Sequence, residues 1–159
     1  MDSRTFRNAM GTFATGITVI TTEVDGEVSG MTANAFMSVS LDPKLVLISI
    51  DNKAKMLEKI QKTKKYGISI LSSDQQQQSM NFAGQIKERI EADFERVGDI
   101  PVLKGSLLNL SCNVVDIHKA GDHVLFIGEV TEMKTNEGDP LLYFGGKYRN
   151  LQTIEEKIV

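Results

Sequence analysis

The sequence predicts a mainly β protein of the α+β class, a mostly antiparallel barrel with a few helices at its edges. Three observations carry this. Many apolar residues fall in short runs rich in Val, Ile and Thr, which suit a pleated, half-buried surface. The dipeptides Asp25–Gly26 and Gly121–Asp122 separate such runs where hairpin turns belong. Only a few stretches space their apolar side chains as a helix does, and each is short. The count is about six or seven strands against about three helices, and a barrel is the economical way to remove the sheet edges.

Taken in order, Ser3 is placed to cap a first helix in which Phe6, Met10 and Phe13 share a face, with Gly11 and Gly16 bracketing its end. Ile17–Val24 is β-branched and reads as a strand that turns at Asp25–Gly26. Residues 30–43, GMTANAFMSVSLDP, read as its partner strand. Small and polar residues stand there where a core strand would alternate Val, Ile or Leu. Lys44–Ile50 is a near-continuous apolar run, the pattern of a central strand. Residues 53–63 put Met56, Leu57 and Ile60 on one helix face, and Tyr66–Leu71 is again a strand. Gln75–Ala83 reads as a helix stopped by Gly84. Residues 85–98 are polar and define no element. Residues 106–120, 121–135 and 140–151 return to strand patterning, with FGG at 144–146 composed like a bulge.

The length suits one domain, residues 1–159, with room for a sizeable core. The net charge of -3 leaves no basic surplus for nucleic acid. The single cysteine, Cys112, excludes an internal disulfide framework and a multi-cysteine metal site; within LSCNVV it reads as a small core residue. Such usage suits a reducing cytoplasm. No window approaches the roughly 20 apolar residues of a membrane helix, so no membrane association is expected. The histidines, His118 and His123, lack metal-ligand spacing, and no metal is expected. Glycine-rich loops of the Rossmann or P-loop type are also missing from the sequence.

What remains is a set of polar positions near strand ends. Thr32, Asn34, Ser38 and Ser40 form one group. Asp51–Met56 forms a second, where backbone N–H groups near Ala54 and Lys55 open a helix beside Lys53. Asn81–Gly84, Ala120–Val130 and Tyr143–Leu151 complete the set. Each alone reads as ordinary surface: solvent-facing hydroxyls, solvated lysines, a histidine beside a turn. Together they describe a site for a polar, planar, phosphorylated ligand.

At these same residues the chain resembles a known family. FRNAMGTFATGITVITT, GMTANAFMSVSLDPKLVLISI, NFAG, GDHVLFIGEV and PLLYFGGKYRNL stand in the order found in the flavin reductase family with the FMN-binding split-barrel fold. The likeness is strongest to the small reductase component of two-component phenol and 4-hydroxyphenylacetate monooxygenases, and it runs from about Phe6 to Leu151. It implies a homodimer that uses NADH to reduce FAD, or FMN, and passes the reduced flavin to a separate aromatic monooxygenase. It further implies that Met31, Thr32, Ala33, Asn34 and Ala35 lie along the isoalloxazine ring, with Ser38 and Ser40 toward the ribityl and phosphate end. Asn52, Lys53, Ala54 and Lys55 match the family's phosphate segment only in part, because relatives carry serine or threonine there. Phe82 and Ala83 would line the flavin edge, and Tyr148, with Arg149, the substrate side. His123, in the GDH segment, would place the nicotinamide. Two other readings share the fold: a flavin-binding electron carrier without efficient reductase activity, and a pyridoxamine-phosphate-oxidase-like enzyme. The second lacks a dense basic cluster in this sequence.

Overall fold

A computed structural model describes residues 1–154; residues 155–159 of the expected domain lie outside it. Its centre is a seven-stranded antiparallel sheet. The strands, in chain order, are β2 (Thr18–Val24), β3 (Glu27–Ala33), β4 (Phe36–Leu41), β5 (Lys44–Asp51), β6 (Lys65–Ile70), β9 (Leu108–Ala120) and β10 (His123–Thr135). Their spatial order is β3-β2-β6-β9-β10-β5-β4. The edge strands β3 and β4 are consecutive in the chain and are joined by Asn34 and Ala35 alone. The sheet must therefore curl until its two edges nearly meet, which is a barrel split at that joint. The joint is held by the Ser49 N–H, which donates to the Ala35 carbonyl at 3.2 Å.

Smaller pieces cap this barrel. The strand pair β7 (Phe94–Val97) and β8 (Ile100–Leu103) packs outside β2 and β6. A three-stranded sheet joins β1 (Thr15–Gly16), β11 (Leu142–Phe144) and β12 (Lys147–Arg149). Helix α1 (Ser3–Met10) precedes the sheets, α2 (Lys55–Thr63) follows β5, and α3 (Gln76–Phe82) follows a 3-10 turn at Ser73–Gln75.

The main core fills the barrel with Ile20, Ile48, Ile50, Ile60, Tyr66, Ile68 and Phe126. Helix α2 closes one side by burying Met56 and Ile60, the face read from the sequence. Tyr66 fits because β10 carries Gly128 opposite it; a side chain there would overlap the Tyr66 ring. A second cluster, Ile17, Val19, Leu71, Leu103 and Leu141, lies on the other side of β2, and Phe82, Tyr143 and Tyr148 pack against it. Those aromatic residues are thus anchored on solid core rather than on loops.

Several sequence expectations are corrected. Asp2, not Ser3, caps α1: its carboxylate accepts from the N–H groups of Arg4 and Thr5, both at 2.9 Å. The helix ends at Met10, so Phe13 lies beyond it, and α1 buries no residue. Residues 30–43 are not one strand, because the chain leaves β3 at Asn34 and crosses to the opposite sheet edge as β4. β5 stands one place in from that edge; its apolar run reflects alternation of buried Val46, Ile48 and Ile50 with half-buried Leu45 and Leu47. The polar stretch 85–98 contains β7. Residues 140–151 form the β11–β12 hairpin, in which Gly145 and Gly146 are a two-residue turn with φ of 59° and 76° rather than a bulge.

Candidate functional site

Two adjoining clefts lie outside β3, where α3 and the β11–β12 hairpin approach it. The smaller, of about 250 Å3, is lined by Thr32 and Ala33 at the end of β3, Asn34 just after it, Ser79 from α3, Ala83 just past that helix, and Tyr143 and Tyr148 from the hairpin. The larger, of about 520 Å3, runs along β3 past Ser29, Gly30 and Met31 to the start of α2 at Ala54 and Lys55. Phe82 lines the larger cleft and Ala83 lines both.

The walls are fixed by named contacts. The Tyr143 and Tyr148 rings meet edge to face at 5.6 Å. Tyr148 Oη lies 3.0 Å from Ser79 Oγ, and Thr32 Oγ1 donates to the Ser79 carbonyl at 2.6 Å, so Ser79 ties three elements together. Phe82 lies directly over Gly30; a Cβ at Gly30 would come within 2.6 Å of the Phe82 ring. Phe94 braces that ring edge-on at 6.2 Å.

The two clefts differ chemically. The smaller offers hydroxyls, an amide and aromatic faces around small alanines, which admits a flat polar ring. The larger carries cations: Lys55, Lys59 and Arg89 line it, and Lys59 Nζ donates to Ser29 Oγ at 2.5 Å. Helix α2 begins here with Ala54 as its N-cap and no side chain capping it, so its first N–H groups have no side-chain partner. Cations beside an uncapped helix start suit phosphate oxygens. The residues present therefore fit a flavin nucleotide.

The other expected residues lie elsewhere. Asn52 and Lys53 are exposed on the turn before α2. The Asn52 N–H donates to the Asp122 carbonyl at 2.9 Å, which brings this turn beside His123. His123 opens β10 opposite Asp51 and lines neither cleft. Its Nδ1 lies 2.7 Å from Asp122 Oδ1. The His123 imidazole holds the Asp122 carboxyl below the usual carboxylate range, first by this hydrogen bond and then by charge. An ionised carboxylate only accepts, so Nδ1 carries the proton and Nε2 is the free ring nitrogen. Ala35 is exposed at the barrel joint. Ser38 and Ser40 sit further along β4, opposite Val46 and Leu45, at the end of β5 away from Asp51. The chain brings them to neither cleft. Arg149 is exposed on β12. Sequence reasoning missed Ser79, Lys59 and Arg89 as lining residues, whereas Tyr143 stood in the Tyr143–Leu151 group and does line the smaller cleft. Ser79 and Phe82 share a helix face three residues apart, a spacing that was legible; the pairing of Ser79 with Thr32 across the fold was not.

The chain matches the flavin reductase like domain family over residues 10–152. It is 47% identical over 151 residues to an NADH-dependent flavin reductase of Rhodococcus sp, covering 93% of this chain and 86% of that one. It is 38% identical over 147 residues to the reductase component of 4-hydroxyphenylacetate 3-monooxygenase of Thermus thermophilus, covering 92% of this chain and 95% of that one. Among solved structures, flavin reductase PheA2 in its native state superposes with a TM-score of 0.95 at 63% identity, covering 96% of this chain and 100% of that one. The split barrel, the paired clefts beside β3 and a likeness spanning nearly the whole length lead to one conclusion: this chain belongs to the flavin reductase like domain family.

Proposed function

We propose that the protein is an NADH-dependent flavin reductase that reduces FAD or FMN and releases the product to a separate aromatic monooxygenase in the cytoplasm, with residues 1–159 acting as one domain. The observation that carries this reading is the pair of adjoining clefts, one ring-sized and polar, the other cationic at an uncapped helix start. The relatives support it, being a flavin reductase dependent on NADH and a monooxygenase reductase component.

When bound, the flavin would supply the redox chemistry, as acceptor for the hydride of NADH. The chain's own residues then have four tasks. Thr32, Ala33 and Asn34, with Ala83, seat the ring edge. Ala54, Lys55 and Lys59 hold phosphate. Tyr143 and Tyr148 wall the ring's cleft and exclude water. His123, held by Asp122 with Nε2 free, orients the nicotinamide and transfers no proton. Met31 and Phe82 shape the larger cleft, whereas Ala35, Ser38, Ser40, Asn52 and Lys53 line neither cleft of this chain.

A dimer interface is part of the proposal. Exposed apolar side chains gather on α1 (Phe6, Met10) and on β4 (Met37, Val39, Leu41), and Leu41 is 90% exposed. An apolar edge strand left open to solvent invites pairing, so a second copy of the chain is the natural cover. Anaerobic mixing of protein, flavin and NADH tests the reading: the yellow flavin absorbance should bleach at a rate proportional to protein. Bleaching no faster than in a protein-free control would reject it.

A further inference from the structure

Thr32 projects from β3 toward α3, and its Oγ1 lies 2.6 Å from the Ser79 carbonyl oxygen. A carbonyl only accepts, so Thr32 commits its one hydroxyl proton there. Ser79 is 1% exposed, which keeps water from displacing that contact. Its position is fixed from two further sides: its hydroxyl pairs with Tyr148 Oη at 3.0 Å, and its carbonyl also accepts the Ala83 N–H at 3.0 Å. Thr32 lines the smaller cleft beside Asn34. Toward any molecule in that cleft its hydroxyl has only lone pairs to offer.

That restriction selects a partner. The imide edge of an oxidised isoalloxazine ring reads acceptor, donor, acceptor, with two carbonyls flanking one N–H. A complementary protein edge needs an acceptor at its centre and a donor at its side. Asn34, two residues after Thr32, brings an amide that donates. We propose that Thr32, its proton held by the Ser79 carbonyl, is the acceptor for the flavin imide N–H, and that Ser79 thereby sets the polarity of recognition without being the acceptor itself. The inference rests on the flavin reading above and adds to it the direction of one hydrogen bond and the buried residue that dictates it.

Binding, not turnover, tests it. Fluorescence titrations would compare FAD with FAD methylated at the imide nitrogen, in the wild type and in Thr32→Val and Thr32→Ser. The wild type should prefer FAD by about tenfold, the effect of one buried hydrogen bond. Thr32→Val should weaken FAD by a similar factor and hardly change the methylated analogue, so the preference disappears. Thr32→Ser should restore it. Equal binding of both ligands to the wild type would overturn the inference while leaving the flavin reading intact. A preference that persists in Thr32→Val would assign the effect to methyl bulk and overturn it equally. Failure of either flavin to bind the wild type would overturn the flavin reading, and this inference with it.

Discussion

Single residues in this protein show their roles through what holds them. His123 is tethered through Nδ1 to Asp122, which leaves Nε2 outside this contact. If that nitrogen orients a nicotinamide, His123→Ala should raise the KM for NADH by up to about tenfold, the worth of roughly one hydrogen bond, with flavin affinity nearly unchanged. A collapse in rate of about 10²–10⁴-fold would instead mark an obligate acid or base. Stopped-flow reduction across NADH concentrations distinguishes these, and unaltered kinetics would return His123 to the surface. Cys112 shows the opposite situation. Fully buried against Tyr66, its thiol is pushed by burial from an ordinary 9.0 up to about 12. The folded state therefore favours the protonated thiol. That contribution is complete below pH 9.0 and is lost as pH rises toward about 12. Denaturation curves in Cys112→Ala should fall less steeply across that window than in the wild type, and identical slopes would contradict the assignment. The sequence reading placed Cys112 in the core and grouped Thr32 with Asn34. It did not find Ser79, because the Thr32–Ser79 bond joins residues 47 apart in the chain and leaves no local pattern.

At the scale of elements, the meeting of β3 and α3 decides the shape of both clefts. Gly30 lets Phe82 lie on the strand, and a methyl group there would meet two ring carbons at 2.6 Å. The backbone at Gly30 is ordinary strand, so alanine is tolerated conformationally and the ring must move. Gly30→Ala should therefore lower flavin affinity more than it lowers stability, because Phe82 lines the larger cleft and is only half-buried. Parallel flavin titration and thermal melts check this; unchanged affinity in a folded variant would remove Phe82 from the site. Strong periodicity made β2, β5, β6, β9, β10 and α2 legible. The break at Asn34–Ala35 was not, since no glycine or proline marks it; it arises because the sheet closes there and the chain must change edges. The strand β7 was hidden for a related reason. FERV carries charges at Glu95 and Arg96 that are satisfied by Lys134 and Glu23 from other elements.

For the whole molecule, the family reading made from motif order is met by both the fold and the comparisons. A monomer, however, leaves α1 without a buried residue and leaves β4 with apolar side chains in solvent. A dimer covering β4 should dissociate when a charge is placed there, so Leu41→Glu should shift sedimentation toward the monomer at micromolar concentration. A wild type that sediments as a monomer with full activity would contradict the assembly. On the proposed function, NADH reduces flavin at the clefts and the reduced flavin then leaves. The most direct measurement is anaerobic stoichiometry with FAD in large excess over protein, counting NADH oxidised per protomer. Turnover predicts that NADH oxidation continues until the whole flavin pool is reduced. Oxidation that stops at one NADH per protomer would contradict it and leave a flavin-binding carrier in its place.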